Sequence, residues 1–206
     1  MKQADNKIYL ASKSPRRREL LRQIGIDFEL LLNETDVDES VLAGENALDY
    51  VARVTRDKLQ SAFQTMLLRQ LPHRPILSAD TTVVIDHLIL GKPADHAEAV
   101  DMIRRLSGRT HQVLTSVAVG MQDPLDLQAQ VWQITQQSDV TFEALSDAAV
   151  EAYCNTLEPY DKAGAYGIQG LASMFIQNIV GSHSGIMGLP LYETAQLLQK
   201  AGIRIL

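Results

Sequence analysis

A mixed α/β fold, a twisted sheet flanked by helices, is what this 206-residue sequence predicts. Three observations lead there. A short apolar strand runs straight into a capped helix near the N-terminus, strand-like and helix-like patterns alternate through the first half, and two long β-branched runs face each other across a proline-containing loop. No repeat, low-complexity tract or long linker divides the chain, so residues 1–206 read as one domain, with two lobes around a cleft.

The first strand is Ile8-Tyr9-Leu10-Ala11. Ser14 then supplies an N-cap hydroxyl, and Pro15 takes the first helical position, where a missing N–H costs nothing. A second strand is expected over residues 28–32 and a long helix over 47–68. Residues 75–79 and 82–85 read as the third and fourth strands, and the chain turns at Asp86-His87 into Leu88-Ile89-Leu90 as a hairpin. Asp95 and Glu98 fit a capping box for a helix through Leu106, with Ala99, Ile103 and Leu106 on its apolar side. Residues 113–119 and 131–142 flank a loop with Pro124 and form the long antiparallel pair. A helix over 147–155, a glycine-rich stretch from Gly164 to Gly170, a strand over 173–180 and a last helix starting near Pro190 complete the order.

Composition narrows the function. The formal charge of −6 argues against general binding to nucleic acid or anionic membrane, since both require spread-out positive charge. A polyanionic ligand must therefore be met by a local basic cluster. Cys154 is the only cysteine, so no internal disulfide forms. Met1 to Ser14 lacks the apolar core of a signal peptide, and no apolar run nears the ~20 residues of a membrane helix. The expectation is a soluble cytoplasmic protein.

Three stretches carry candidate chemistry. In Ser12-Lys13-Ser14-Pro15-Arg16-Arg17-Arg18 a helix start points free N–H groups and a positive dipole end at any anion, and arginines add forked donors suited to phosphate. Arg17 continues the buried stripe of Leu20, Leu21 and Ile24 and has no partner nearby in sequence, whereas Arg18 and Arg22 lie on the solvent side. The alternative is a solvated basic helix start. In Ser78-Ala79-Asp80-Thr81-Thr82, Asp80 ends an apolar strand; it is either a metal ligand or proton acceptor, or a turn residue capping the strand. In Glu158 to Gly170, glycines at 164, 167 and 170 suit a backbone that approaches a ligand closely, and Gln169 offers the donor and acceptor that complement the imide edge of uracil or thymine. A tight turn before a strand is the plainer reading. Lys92, in the bend Leu90-Gly91-Lys92-Pro93, is a phosphate contact or an exposed turn lysine; Lys58 sits at the edge of a helical apolar stripe, where it snorkels or reaches a ligand. Glu98 is a helix cap. No Walker loop, zinc spacing or nucleophile elbow is present.

The ordered set Leu10-Ala11-Ser12-Lys13-Ser14-Pro15-Arg16-Arg17, Ala79-Asp80-Thr81, Leu90-Gly91-Lys92-Pro93, Leu106-Ser107-Gly108, Thr110-His111-Gln112-Val113, Asp161 to Gly170 and Gly188-Leu189-Pro190-Leu191 resembles the Maf family of nucleotide pyrophosphatases, from Tyr9 to about Ala201. The resemblance implies hydrolysis of a nucleoside triphosphate to the monophosphate and pyrophosphate with a divalent cation, Mg²⁺ or Mn²⁺. It also implies the elongated two-lobed fold shared with inosine triphosphate pyrophosphatases, a cytoplasmic location and a homodimer. By position it assigns Asp80 as proton acceptor, Arg16, Thr81 and Gln169 to base choice, and Ser12, Arg17, Lys58 and Lys92 to the triphosphate. Ala-Asp-Thr together with Asp-Lys-Ala-Gly-Ala-Tyr-Gly-Ile-Gln-Gly resembles the dTTP/UTP branch; the branch acting on methylated GTP carries tryptophan where Arg16 stands. The acidic segment Glu34 to Glu39 runs about two residues longer than the family pattern, which leaves open which of its carboxylates joins Asp80 at the metal; Glu39 is one candidate. Gly181 to Gly185 lacks the asparagine of many members and receives no role. Two rivals stand beside this reading: a same-fold enzyme for other or modified nucleotides, and a nucleotide-sensing protein, since family members are linked to division arrest.

Overall fold

The computed structural model describes residues 6–32, 37–122 and 129–205. Its strands are β1 (Lys7–Leu10), β2 (Asp27–Leu30), β3 (Ile76–Ile85), β4 (Leu88–Leu90), β5 (Thr110–Gln122), β6 (Ala129–Phe142) and β7 (Ile176–Val180). They form one mixed sheet in the order β2-β1-β3-β5-β6-β7, with β4 also paired on β3. β1 runs parallel to β2 and β3, and every other pairing is antiparallel. The helices are α1 (Pro15–Gln23), α2 (Ala47–Leu68), α3 (His96–Leu106), α4 (Asp147–Cys154), α5 (His183–Ile186) and α6 (Leu191–Lys200).

Strand alternation sorts the core onto the two faces of the sheet. Tyr9, Ile76 and Ala118 pack against Leu59, Phe63 and Met66 of α2. Ile8, Leu10, Leu77, Val117 and Val119 turn the other way, onto Leu20 and Leu21 of α1 and Leu197 and Leu198 of α6. A third cluster closes the far end of the sheet, where α3 and α4 cover Val83, Ile85, Val113, Val140 and Phe142. Each large apolar side chain buried in these layers contributes roughly 1.5–3 kcal/mol relative to an exposed one.

Local signals in the sequence explain most boundaries. The Ser14 hydroxyl accepts from Arg17 N–H, and Pro15 opens α1. Asp86 and His87 both adopt positive φ, 50° and 65°, the geometry of a two-residue hairpin turn whose twist matches its strands. Asp95 caps α3 through Glu98 N–H, while the Glu98 carboxylate reaches back to Ala94 N–H, one residue before the usual partner.

Three expectations are corrected. Residues 75–79 and 82–85 are not two strands: β3 is continuous, and Asp80 lies at its middle rather than its end. The polar run Asp80-Thr81-Thr82 imitates a break because all three residues line a cavity and Asp80 and Thr81 meet polar partners, which periodicity does not register. Residues 173–175 belong to a 3-10 turn (Leu171–Phe175), and the strand starts at Ile176. The short helix α5 was not expected from the sequence. The loop with Pro124 lies outside the described residues, as do Glu34, Thr35 and Asp36 of the acidic segment.

The continuity of β3 creates the site. Along one edge it pairs with β5 from Ile76 to Val84. Along the other edge β1 pairs only at Ile76 and Leu77, and β4 only at Val83 to Ile85. Between them Ser78 to Thr82 have no neighbouring strand on that edge, and there the chain leaving β1 turns into α1.

Candidate active site

A cavity of about 1030 Å³ opens at this gap. Every residue singled out from the sequence lines it: Ser12, Arg16, Arg17, Glu39, Lys58, Asp80, Thr81, Lys92 and Gln169. They come from the β1–α1 turn, the first turn of α1, the segment before α2, α2 itself, β3, the bend after β4 and the glycine-rich loop, so residues up to 157 positions apart in sequence converge on one space.

Asp80 and Thr81, being neighbours in a strand, point to opposite faces. Asp80 turns toward α2, where Lys58 Nζ lies 2.7 Å from its Oδ1, and it is only 7% exposed. The same ammonium stands 2.8 Å from Glu39 Oε1. Two carboxylates thus converge on a single cationic position. Lys58 does not simply snorkel to solvent; α2 delivers it to the space between them. That set of hard oxygen donors fits Mg²⁺ or Mn²⁺, which bind through one or two carboxylates plus substrate phosphate rather than through a full protein cage. Among the described residues no group of three or more His, Cys, Asp or Glu is placed to hold a metal.

Thr81 turns toward α1 and α5. Arg17 donates from Nε to Gly188 O at 2.7 Å, from Nη1 to Ser12 Oγ at 3.1 Å and from Nη2 to Thr81 Oγ1 at 3.2 Å. These partners, brought from distant parts of the chain, answer the buried arginine that the sequence left unexplained. All are neutral, and burial pulls the Arg17 pKa below the usual arginine value, with Asp80 opposing the shift. The guanidinium keeps a net positive charge beside the cavity, with part of its donor set already committed to holding three segments together.

The hydroxyl directions follow from the acceptors. Thr115 Oγ1 donates to Gly185 O at 2.8 Å, so in its 3.0 Å contact with Thr81 it must accept. Thr81 therefore spends its proton on Thr115 and presents an acceptor lone pair. Ser12 Oγ accepts from Ser14 N–H at 3.2 Å as well as from Arg17, which leaves its own O–H to donate.

At the opposite wall Arg16 Nη1 meets Asp161 Oδ2 at 3.3 Å, and Lys162 also contacts Asp161. Burial works against the charge on Asp161, but Lys162 and Arg16 outweigh it and its pKa falls below the ordinary carboxylate value. Lys162 Nζ additionally donates to Glu158 O at 2.7 Å. Glu158, Asp161 and Lys162 line the cavity and received no individual role from the sequence. Their signal was the density of charged residues just before a glycine repeat. Lys92 and Gln169 are exposed at the cavity wall.

Beneath the glycine-rich loop, His111 Nε2 lies 2.7 Å from Tyr166 OH, and both rings pack edge-on against Phe142. Burial holds the His111 pKa at about 4, below its ordinary 6.5. A folded-state pKa below the unfolded one means that the unfolded chain binds the proton first. His111 therefore contributes its stability above about pH 6.5 and loses it as pH falls toward 4, on the order of 3 kcal/mol across the window. Thermal melts between pH 7 and 4.5 should show a steep loss that flattens in His111→Gln. An equal slope in both proteins would assign the acid sensitivity elsewhere.

The sequence matches the family model described as Maf-like protein over residues 7–201. A dTTP/UTP pyrophosphatase of Ralstonia nicotianae is 52% identical over 202 residues, 96% of this chain and 95% of its own. Proteins of the same description from Chromobacterium violaceum and Aromatoleum aromaticum are 47% and 48% identical, each alignment covering 98% of both chains. With a family match spanning nearly its whole length and relatives close to half identical from end to end, this chain belongs to the Maf family.

Proposed function

We propose that this protein hydrolyses dTTP and UTP to the nucleoside monophosphate and pyrophosphate. The observation that carries the reading is one cavity in which a paired carboxylate set adjoins a cluster of cations fit for a triphosphate, in a chain half identical to dTTP/UTP pyrophosphatases.

In this mechanism Asp80, aided by Glu39, holds the divalent cation and accepts the proton of the water that attacks the α-phosphorus. The cation, when bound, supplies Lewis-acid polarisation of the phosphate oxygens. Ser12 donates its free hydroxyl to a phosphate oxygen, while Arg17, Lys58, Lys92 and the N-terminal end of α1 offset the charge that grows on the departing pyrophosphate. Lys58 neutralises the carboxylate pair in the free protein and lines the same cavity, where its ammonium can also meet phosphate. Arg16, Thr81 and Gln169 read the base. The Thr81 lone pair suits the N3–H of a uracil or thymine ring, and the Gln169 amide N–H suits a carbonyl beside it; a purine places its donors and acceptors elsewhere. No covalent enzyme intermediate is needed.

The working protein is proposed to be a cytoplasmic homodimer that acts without nucleic acid or membrane; among the described residues no helix is long and apolar enough to cross a bilayer. Pyrophosphate release over a panel of nucleoside triphosphates, with Mg²⁺ or Mn²⁺, tests the reaction. Strong release from dTTP and UTP supports it, and silence across the panel removes it in favour of nucleotide sensing. Gln169→Ala should lower discrimination for dTTP over dCTP by roughly tenfold, about the worth of one lost hydrogen bond, while kcat changes little. Unchanged selectivity would remove Gln169 from base reading.

A further inference from the structure

Gln169 sits on an exposed turn, and the structure shows what holds that turn in place. Gly170 N–H bonds to Gly167 O at 3.1 Å, and Ile168 between them is sunk into the core beside α1 and α6. Behind the turn lies Glu158. Its Oε2 accepts from Leu171 N–H at 2.6 Å, and its Oε1 accepts from Ala172 N–H and Tyr153 OH, both at 3.1 Å. One carboxylate thereby satisfies the first two amides of the 3-10 turn (Leu171–Phe175) that begins two residues after Gln169. Its backbone carbonyl is meanwhile tied to Lys162 Nζ.

Both glycines of the turn lie close against these two side chains. A Cβ on Gly170 would stand 2.2 Å from Glu158 Oε2, and one on Gly167 would stand 2.7 Å from Lys162 Cε. Gly170 has φ −106°, a value any residue adopts, so what a side chain there would meet is the Glu158 carboxylate, which it would have to push off its amides, and not a backbone barrier.

We propose that Glu158 is a positioning residue for nucleobase selectivity: its carboxylate pins the turn from Gly167 to Gly170 and so sets where Gln169 meets the base. This inference rests on the reading of Gln169 as a base reader. Glu158 need not touch substrate. It converts two backbone amides and one tight contact into a fixed direction for the neighbouring side chain.

The test is kcat and KM for dTTP and dCTP in the full-length protein, for wild type, Glu158→Gln, Glu158→Ala, Gly170→Ala and the double variant Glu158→Ala/Gly170→Ala. In Glu158→Gln the amide nitrogen faces a backbone N–H, so one bond is lost while volume is kept. The expected result is a KM for dTTP raised roughly tenfold, kcat within about threefold, and a dTTP-over-dCTP preference reduced roughly tenfold. Gly170→Ala should reproduce this split, since it disturbs the same contact from the other side. Once Glu158 is alanine the clash is gone, so the double variant should be no worse than Glu158→Ala alone. Equal losses of kcat for both nucleotides, or fully additive effects in the double variant, would overturn the positioning role. A wild type without preference for dTTP overturns the parent reading of Gln169. A wild type with that preference, kept intact in Glu158→Gln, overturns this inference alone.

Discussion

Asp80→Asn should lower pyrophosphate release by about 10²–10⁴-fold, the range of a general base, with little loss of stability. The geometry separates these two effects. Asparagine keeps the volume of the side chain in the middle of β3, where the ladder to β5 from Ile76 to Val84 is made by the backbone and does not depend on the side chain. Lys58, released from Asp80, still has Glu39 at 2.8 Å, so no ammonium is stranded. What disappears, on the proposed mechanism, is the proton acceptor and one of the two carboxylates that would hold the cation. Circular dichroism and a thermal melt would report the fold, and a coupled pyrophosphate assay the turnover. Near-normal turnover in a folded Asp80→Asn protein would exclude Asp80 from the chemistry.

Arg17→Lys should damage both stability and catalysis despite conserving charge. A single ammonium cannot reproduce the fork that reaches Gly188 O, Ser12 Oγ and Thr81 Oγ1 together. Leaving one or two of these part-buried acceptors without their charged donor costs about 2–4 kcal/mol, a fall in Tm of roughly 5–15 °C for a chain of this size. The segments so loosened carry Ser12 and Thr81, so kcat/KM should fall by roughly 10²-fold or more even where the protein is folded. A variant with wild-type Tm but weakened nucleotide binding would instead make Arg17 a pure phosphate contact. Wild-type behaviour in both assays would leave it no role in the site.

How much of this was legible in the sequence depends on whether the cause was local. The start of α1 is written in Ser14-Pro15, the cap of α3 in Asp95, and the β3–β4 hairpin in two adjacent polar residues, because caps and tight turns are settled within a few positions. The middle of β3 was not legible. Asp80 owes its place in a buried strand to Lys58, 22 residues earlier on a different element, and no window of sequence contains both. Arg17 posed the opposite case: its position on a buried stripe announced that partners were needed, but those partners are 5, 64 and 171 positions away. The spacing of the glycine repeat was visible at once. That Gly170 lies directly against the Glu158 carboxylate emerged only when the two were placed side by side.

The unpaired stretch of β3 has a consequence for how far the site tolerates change. Ala11 N–H bonds to Leu77 O, so the odd-numbered residues of β3 direct their backbone groups toward the β1 edge. In the gap those are Ala79, which is fully buried, and Thr81, which lines the cavity. A ligand in that cavity would lie beside a strand edge that no neighbouring strand covers. No substitution other than proline erases a main-chain amide, so this edge stays polar whatever side chains line the walls. Changes at Arg16 and Gln169, the base readers proposed above, would therefore alter the walls and leave that edge in place.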